Sequence, residues 1–259
     1  MIPHIGMTMA GPSGPDSVRL DNLTGAGAFG SVFAATDLRA NCRLAVKFPQ
    51  TLGLGSADRA EIQAFTNEVA AAATLQHPNI VRVLYAQADL EAGVPYLVME
   101  YVEGGTLAQL LRKAGESKEP LAIPSLVDWM GQLVDGIEAI NEKMLHRDLR
   151  PENILMSGDR LKVGDFGLSK LVGAATRTRT FKGSQHVLYM APEGWRSETN
   201  DIQIDMYSMG ITFFEMATLE YPYDVPPGTG SFEALERMHL FEVPKDVRAL
   251  REDLPVGIV

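Results

Sequence analysis

Eight consecutive residues, "HRDLRPEN" at 146–153, hold one His, two Arg, one Asp, one Glu and one Asn before the chain turns apolar at "ILM". This set has a chemical use. Moving a phosphoryl group asks for an acceptor to orient the attacking hydroxyl, oxygen ligands for metal ions on the phosphates, and cations for the developing charge. Asp148 is suited to accept from a hydroxyl. Asn153 offers an amide oxygen to a hard cation, and Arg150 between them can reach a transferred phosphate. "VGDFG" at 163–167 adds Asp165 as a second oxygen ligand, with Gly167 to permit a sharp turn. Alone, D-F-G reads first as an ordinary turn.

Upstream, "GAGAFGSV" at 25–32 is a G-x-G-x-x-G whose glycines let a backbone approach phosphates closely. A Rossmann turn and a plain glycine-rich hairpin share the pattern. A Rossmann turn opens a helix, whereas "SVFAATD" follows here and is strand-like. Strand, glycine turn and strand make a flap. Lys47 in "AVKF" is either a solvated strand lysine or a cation for phosphates. Alternation in "RLAVKF" puts it on the face of Ala45, where a small residue leaves room for a flat base. Such a lysine needs a counter-ion. Glu68 in "FTNEVAAAATL" is the foremost candidate, with Asp58 and Glu61 as competitors nearer the helix start.

These groups need elements to position them. Strands are expected on either side of the glycine turn (Val18 to Asp37), at 43–48, in "IVRVLYAQADL" and in "PYLVMEYV", with one helix over 57–75. Beyond a linker "VEGG" at 102–105 the pattern becomes helical. "TLAQ" at 106–109 has the capping-box form. Leu126, Met130, Leu133, Ile137 and Ile140 share one helical stripe. Two short strands, "ILMSG" and "LKVGDF", precede a polar loop from 168 to about 188, and a helix follows near 204–219. Residues 1–17, rich in Gly, Pro and Ser, read as a flexible tail without the basic start and apolar core of a signal peptide.

The 259 residues are 46% hydrophobic and 22% charged, ordinary for a globular chain with a sizeable core. The net charge of -10 argues against nucleic acid, which needs a basic face. One cysteine, Cys42, excludes an internal disulfide and suits a reducing, cytoplasmic setting. No apolar run reaches a membrane-spanning length.

In order along the chain stand "GAGAFGSV", "AVK", "NE", "HPNIV", "VMEYVEGG", "HRDLRPEN", "DFG", "APE" and "DMYSMG". In this order and spacing they resemble the eukaryotic-type (Hanks-type) serine/threonine protein kinase catalytic domain, from about residue 18 to at least 224. The resemblance implies an α+β, bilobal fold. Its N-lobe would cover 18–101, a small sheet with one long helix. Its C-lobe would cover 102–259 and be mainly helical. It implies ATP and Mg²⁺, and protein substrates with Ser or Thr acceptors. On the resemblance, Thr24, Gly25, Ala26, Gly27, Ala28, Phe29 and Gly30 cover the phosphates. Lys47 pairs with Glu68, Val32, Ala45 and Leu155 sandwich adenine, and Met99, Glu100 and Val102 form the gatekeeper and hinge. Asp148 is the catalytic aspartate, Arg150 and Asn153 assist it, and Asn153 and Asp165 hold metal. Asp205 anchors the catalytic loop. Arg147 marks kinases whose activation loop is ordered by phosphate, with Thr176, Thr178 and Thr180 as acceptors, Thr180 aligning best; as residues alone, these are polar loop threonines.

The sequence also departs from the family. Arg150 replaces the usual lysine. "GSQHVLYMAPE", where substrate backbone docks in the family, has two extra residues between Gly-Ser and Tyr. Ala72 is small for its place one turn after Glu68. The chain stops at "REDLPVGIV", before the family's D-P-x-x-R-P segment and the partner it gives Glu193, so a fragment of a longer protein is the expectation. The alternatives to an active kinase are a pseudokinase scaffold and a small-molecule kinase of similar fold.

Overall fold

A computed structural model of the chain describes residues 3–27, 30–49, 67, 69–87, 95–165, 185–196, 201–225 and 232–258. The first hundred residues build one antiparallel sheet of six strands, in the order β1-β2-β3-β4-β6-β5. The strands are β1 (Thr8–Gly11), β2 (Gly14–Gly27), β3 (Gly30–Asp37), β4 (Cys42–Pro49), β5 (Val83–Gln87) and β6 (Tyr96–Glu100). Alternation decides the faces. Leu44, Val46 and Phe48 of β4 bury themselves with Val18, Leu20, Phe33, Tyr96 and Val98. Ala45 and Lys47 point the other way, and Ala45 packs against the core shared with the helices. Phe33 meets Phe48 edge-on at 5.7 Å, a favoured aromatic geometry.

The expected flexible tail over 1–17 is corrected by β1. Met9 pairs with Val18 and is 6% exposed within the sheet core, with Met7 packed beside it. The Tyr96 hydroxyl donates to Ala10 O at 3.0 Å. Leu20 N donates to Met7 O, and Gly6 N to Leu20 O. At Gly11 the strand passes so close that a Cβ would come within 2.2 Å of Val18 Cγ2. The glycine read as a sign of flexibility is there for close approach.

The helical part begins at α1 (Leu107–Ser117). Its N-cap Thr106 accepts from Gln109 N, while the Gln109 side chain accepts from Thr106 N, a complete capping box worth about 1 kcal/mol. α2 (Ile123–Asn141) buries Leu126, Trp129, Met130, Leu133, Ile137 and Ile140 along one stripe, each worth about 1.5–3 kcal/mol. The strands β7 (Ile154–Ser157) and β8 (Arg160–Val163) form a hairpin against it. Then come α3 (Pro192–Trp195), α4 (Ile202–Thr218), α5 (Phe232–Phe241) and α6 (Val247–Leu250). No helix among the described residues is long and apolar enough to cross a membrane.

Sheet and helices share a core that joins Ile80, Val81, Leu97 and Met99 to Leu107, Leu133, Ile154 and Val163. The seam is hydrogen-bonded as well. Val163 N donates to Asn79 O and Val81 N to Val163 O. The Asn79 amide donates to Gln132 Oε1 and Leu161 O, both at 2.9 Å. At the other connection, a Cβ on Gly104 would meet Met156 O at 2.2 Å, so the residues of the expected linker lie directly on β7.

Candidate active site

The loop 146–153 is held from below by the first turn of α4. Asp205, fully buried, accepts from His146 N at 2.8 Å and Arg147 N at 2.7 Å. Two backbone donors on one carboxylate fix the loop where Arg147 takes φ 64°, a left-handed conformation costly for a side-chain-bearing residue. The loop then fastens itself. Asn153, at the end of a 3-10 turn (Pro151–Asn153), donates through Nδ2 to Asp148 O at 2.7 Å and Asp148 Oδ2 at 2.8 Å. Arg150 Nε stands 3.5 Å from Asp148 Oδ1. Asp148 is thus aimed by Asn153 and flanked by a cation.

His146, assigned no role in the sequence reading, links this loop to the next. Its Nδ1 accepts from Asp148 N at 3.2 Å, which leaves Nε2 to carry the proton toward Gly164 O at 3.0 Å. Gly164 N in turn donates to Asn153 O. Asp165 therefore begins one residue beyond a peptide group fixed at both ends to the loop, and it too is left-handed, φ 59°. Its place at the head of the polar run, two residues before Asp148, was the one signal the sequence offered for this role.

Across the cleft, Lys47 on β4 is 3% exposed and reaches Asp165 Oδ1 at 2.9 Å. Glu68, its expected counter-ion, lies outside the described residues, as do Ala28, Phe29, Thr176, Thr178 and Thr180. The remaining flap residues form the β2–β3 hairpin. Gly25 is opposite Val32 and Gly27 opposite Gly30, and the Thr24 hydroxyl donates to Val32 O at 3.0 Å. Met99 belongs to the shared core, and Ala45, Val102 and Leu155 pack against it. Glu100 does more with its side chain than expected: Oε1 accepts from Arg82 N and from Lys162 Nζ, both at 2.8 Å. One carboxylate so ties the sheet to β8 behind the cleft.

The donor set suits a hard cation. Asn153 spends its amide nitrogen on Asp148, which leaves its amide oxygen as the ligand end. Asp165 has a second carboxylate oxygen beyond the one facing Lys47. Among the described residues no group of three or more His, Cys, Asp or Glu is placed to hold a metal alone. A magnesium ion fits such a site, because it typically takes one or two side-chain oxygens and completes its shell with phosphates and water.

A glycine hairpin and a buried lysine on a sheet, facing an aspartate–asparagine loop on a helical part, define the catalytic domain of a two-lobed phosphotransferase. Residues 18–253 match the protein kinase domain family, and the chain belongs to that family. It is 32% identical over 244 residues to a probable serine/threonine-protein kinase of Clostridium acetobutylicum, covering 93% of this chain and 35% of that protein. It is 33% identical over 230 residues to the serine/threonine-protein kinase ATG1a of Arabidopsis thaliana, covering 86% and 35%. With the serine/threonine-protein kinase PrkC of Bacillus subtilis the figures are 34% over 207 residues, 78% and 30%. The chain spans about a third of the length of these curated relatives. It is a protein kinase domain of the serine/threonine type.

Proposed function

We propose that this domain transfers the γ-phosphate of ATP to Ser or Thr hydroxyls of protein substrates. The observation that carries the reading is the closure of the set across the cleft. Lys47 reaches Asp165 at 2.9 Å, while Asp165 follows a peptide group bonded to Asn153, whose amide aims Asp148. In this reading Asp148 accepts the hydrogen bond of the incoming hydroxyl and orients it. Arg150 offsets charge on the transferred group, and Lys47 holds the α- and β-phosphates. Ala45, Val32 and Leu155 take the adenine ring, with the backbone at Glu100 and Val102 along its edge. Asn153 and Asp165 would hold Mg²⁺, which supplies charge neutralisation on the phosphates. Arg147 and the threonines at 176, 178 and 180 form the regulatory pair, a phosphate on the loop meeting the guanidinium.

Incubation with ATP and Mg²⁺, followed by mass spectrometry, tests the reading. Phosphate is expected on at least one of Thr176, Thr178 and Thr180 and on added casein. The Asp148→Asn chain should be slower by about 10²–10⁴-fold, the range for a lost general base. Equal phosphate on both chains would remove Asp148 from its role. No phosphate on either, with ATP·Mg²⁺ still raising the melting temperature, would mark a binding module.

A further inference from the structure

Behind the segment Gln185–Trp195 lies a buried cage that the chemistry above leaves unused. Three successive backbone carbonyls, those of Leu188, Tyr189 and Met190, end on side chains. The Val187 backbone is a hydrogen-bond neighbour of the His239 ring. Leu188 O accepts from the Tyr221 hydroxyl. Tyr189 O accepts from Ser208 Oγ at 2.8 Å. Met190 O accepts from the Trp195 indole at 3.1 Å. His239, on α5 and 4% exposed, joins these contacts. It stacks on Trp195, 5.9 Å between centroids and 28° between planes. Its Nδ1 lies 2.7 Å from the Tyr207 hydroxyl and its Nε2 3.2 Å from that of Tyr221.

With His239 neutral, the direction of each proton along this chain of contacts follows from counting. Tyr221 has one hydroxyl proton and gives it to Leu188 O. His239 Nε2 must therefore carry a proton and donate it to Tyr221. A neutral ring then has a bare Nδ1, so Tyr207 donates to it. Tyr207 is left accepting from Tyr223, 3.2 Å away. With a neutral ring the chain runs Tyr223 to Tyr207 to His239 to Tyr221 to Leu188 O. An imidazolium would turn the Tyr207 link round, with Tyr207 accepting from Nδ1 and donating to Tyr223.

We infer that His239 is a positioning residue for the protein substrate, holding the backbone of Val187–Met190 through Tyr221 and Trp195. The inference rests on the protein kinase reading, in which the segment after the loop 168–184 takes the substrate backbone. It adds that α5, far along the chain, sets the geometry of that docking strip, and that the His239 ring is the piece that does so.

The test compares the full chain with His239→Phe, His239→Gln and Tyr221→Phe, using casein as acceptor. Phe keeps the stack on Trp195 and removes both ring hydrogen bonds. Gln restores one N–H toward Tyr221. Tyr221→Phe cuts the link to Leu188 directly and covers the case in which His239→Phe does not fold. Expected are a KM for casein raised about fivefold or more in His239→Phe and Tyr221→Phe, a smaller rise in His239→Gln, and kcat and the KM for ATP within about twofold. A KM for casein that does not move, or one that rises in step with the KM for ATP, overturns the inference. If the parent chain phosphorylates no casein, the kinase reading is what fails. Amide exchange then decides the cage: faster exchange confined to 187–195 in Tyr221→Phe supports it, and unchanged exchange there overturns it.

Discussion

Arg150 lies with Nε 3.5 Å from Asp148 Oδ1 and 3.9 Å from Glu152 Oε2, and that Nε makes no hydrogen bond among the described residues. On the Asp148 side the guanidinium acts as a nearby charge, its Nε not engaged as part of a fork. Arg and Lys differ most where the planar fork is used. Arg150→Lys should therefore keep kcat within about threefold, whereas Arg150→Met should lower it about 10²-fold or more, as for other lost transition-state donors. Initial rates of casein phosphorylation read both. A Lys variant as slow as the Met variant would show that the fork is needed after all. Residue types and their spacing made this loop legible in the sequence: Asp148, Arg150 and Asn153 are close in the chain and act together, whereas the part of His146 came only with the fold. The contact between Lys47 and Asp165 was not legible in the same way. Asp165 is more than a hundred residues distant, and only the fold brings its carboxylate to 2.9 Å.

Among the elements, the long periodic ones were the readable ones. The stripe of α2 and the alternation of β4 are each dictated by a single period against one core, and Thr106 with Gln109 announces the start of α1. β1 escaped because it is four residues long and ends in a glycine with Pro and Ser after it. Its only signal was Met7 and Met9 at spacing two. That strand yields a prediction. Met9→Ala removes a side chain buried among Val18, Phe48 and Tyr96 and should cost about 2–4 kcal/mol. Tyr96→Phe, which loses the bond to Ala10 O, should cost about 1 kcal/mol. Urea titrations measure both. A Met9→Ala chain as stable as its parent would return residues 8–11 to the status of a loose tail.

At the scale of the molecule, two buried titrating groups behind the segment Gln185–Trp195 pull stability in opposite directions with pH. Burial pushes His239 down from 6.5 to about 4, against the favourable backbone of Val187. Burial pushes Glu215 up from 4.5 to about 7, against the Tyr189 hydroxyl that donates to it at 2.7 Å and with the charge of Glu152 adding to the rise. Between pH 4 and 6.5 the unfolded chain protonates its histidine and the folded chain does not. The His239 contribution is thus complete above 6.5 and is lost as pH falls toward 4. Between 4.5 and 7 the folded chain holds a proton on Glu215 that the unfolded chain has released. That contribution is complete below 4.5 and is lost as pH rises through 7. Each is worth on the order of 3 kcal/mol over its window, so across pH 4.5–6.5 the two slopes cancel. Urea midpoints at pH 4.5, 5.5, 6.5 and 7.5 separate them. Relative to the parent, Glu215→Gln should gain stability steadily as pH rises, because its opposing slope is gone, and His239→Gln should lose it over the same range. Parallel curves for parent and variants would mean that both groups titrate in their buried places as they do in the unfolded chain. The aromatic cage would then owe nothing to a histidine kept neutral.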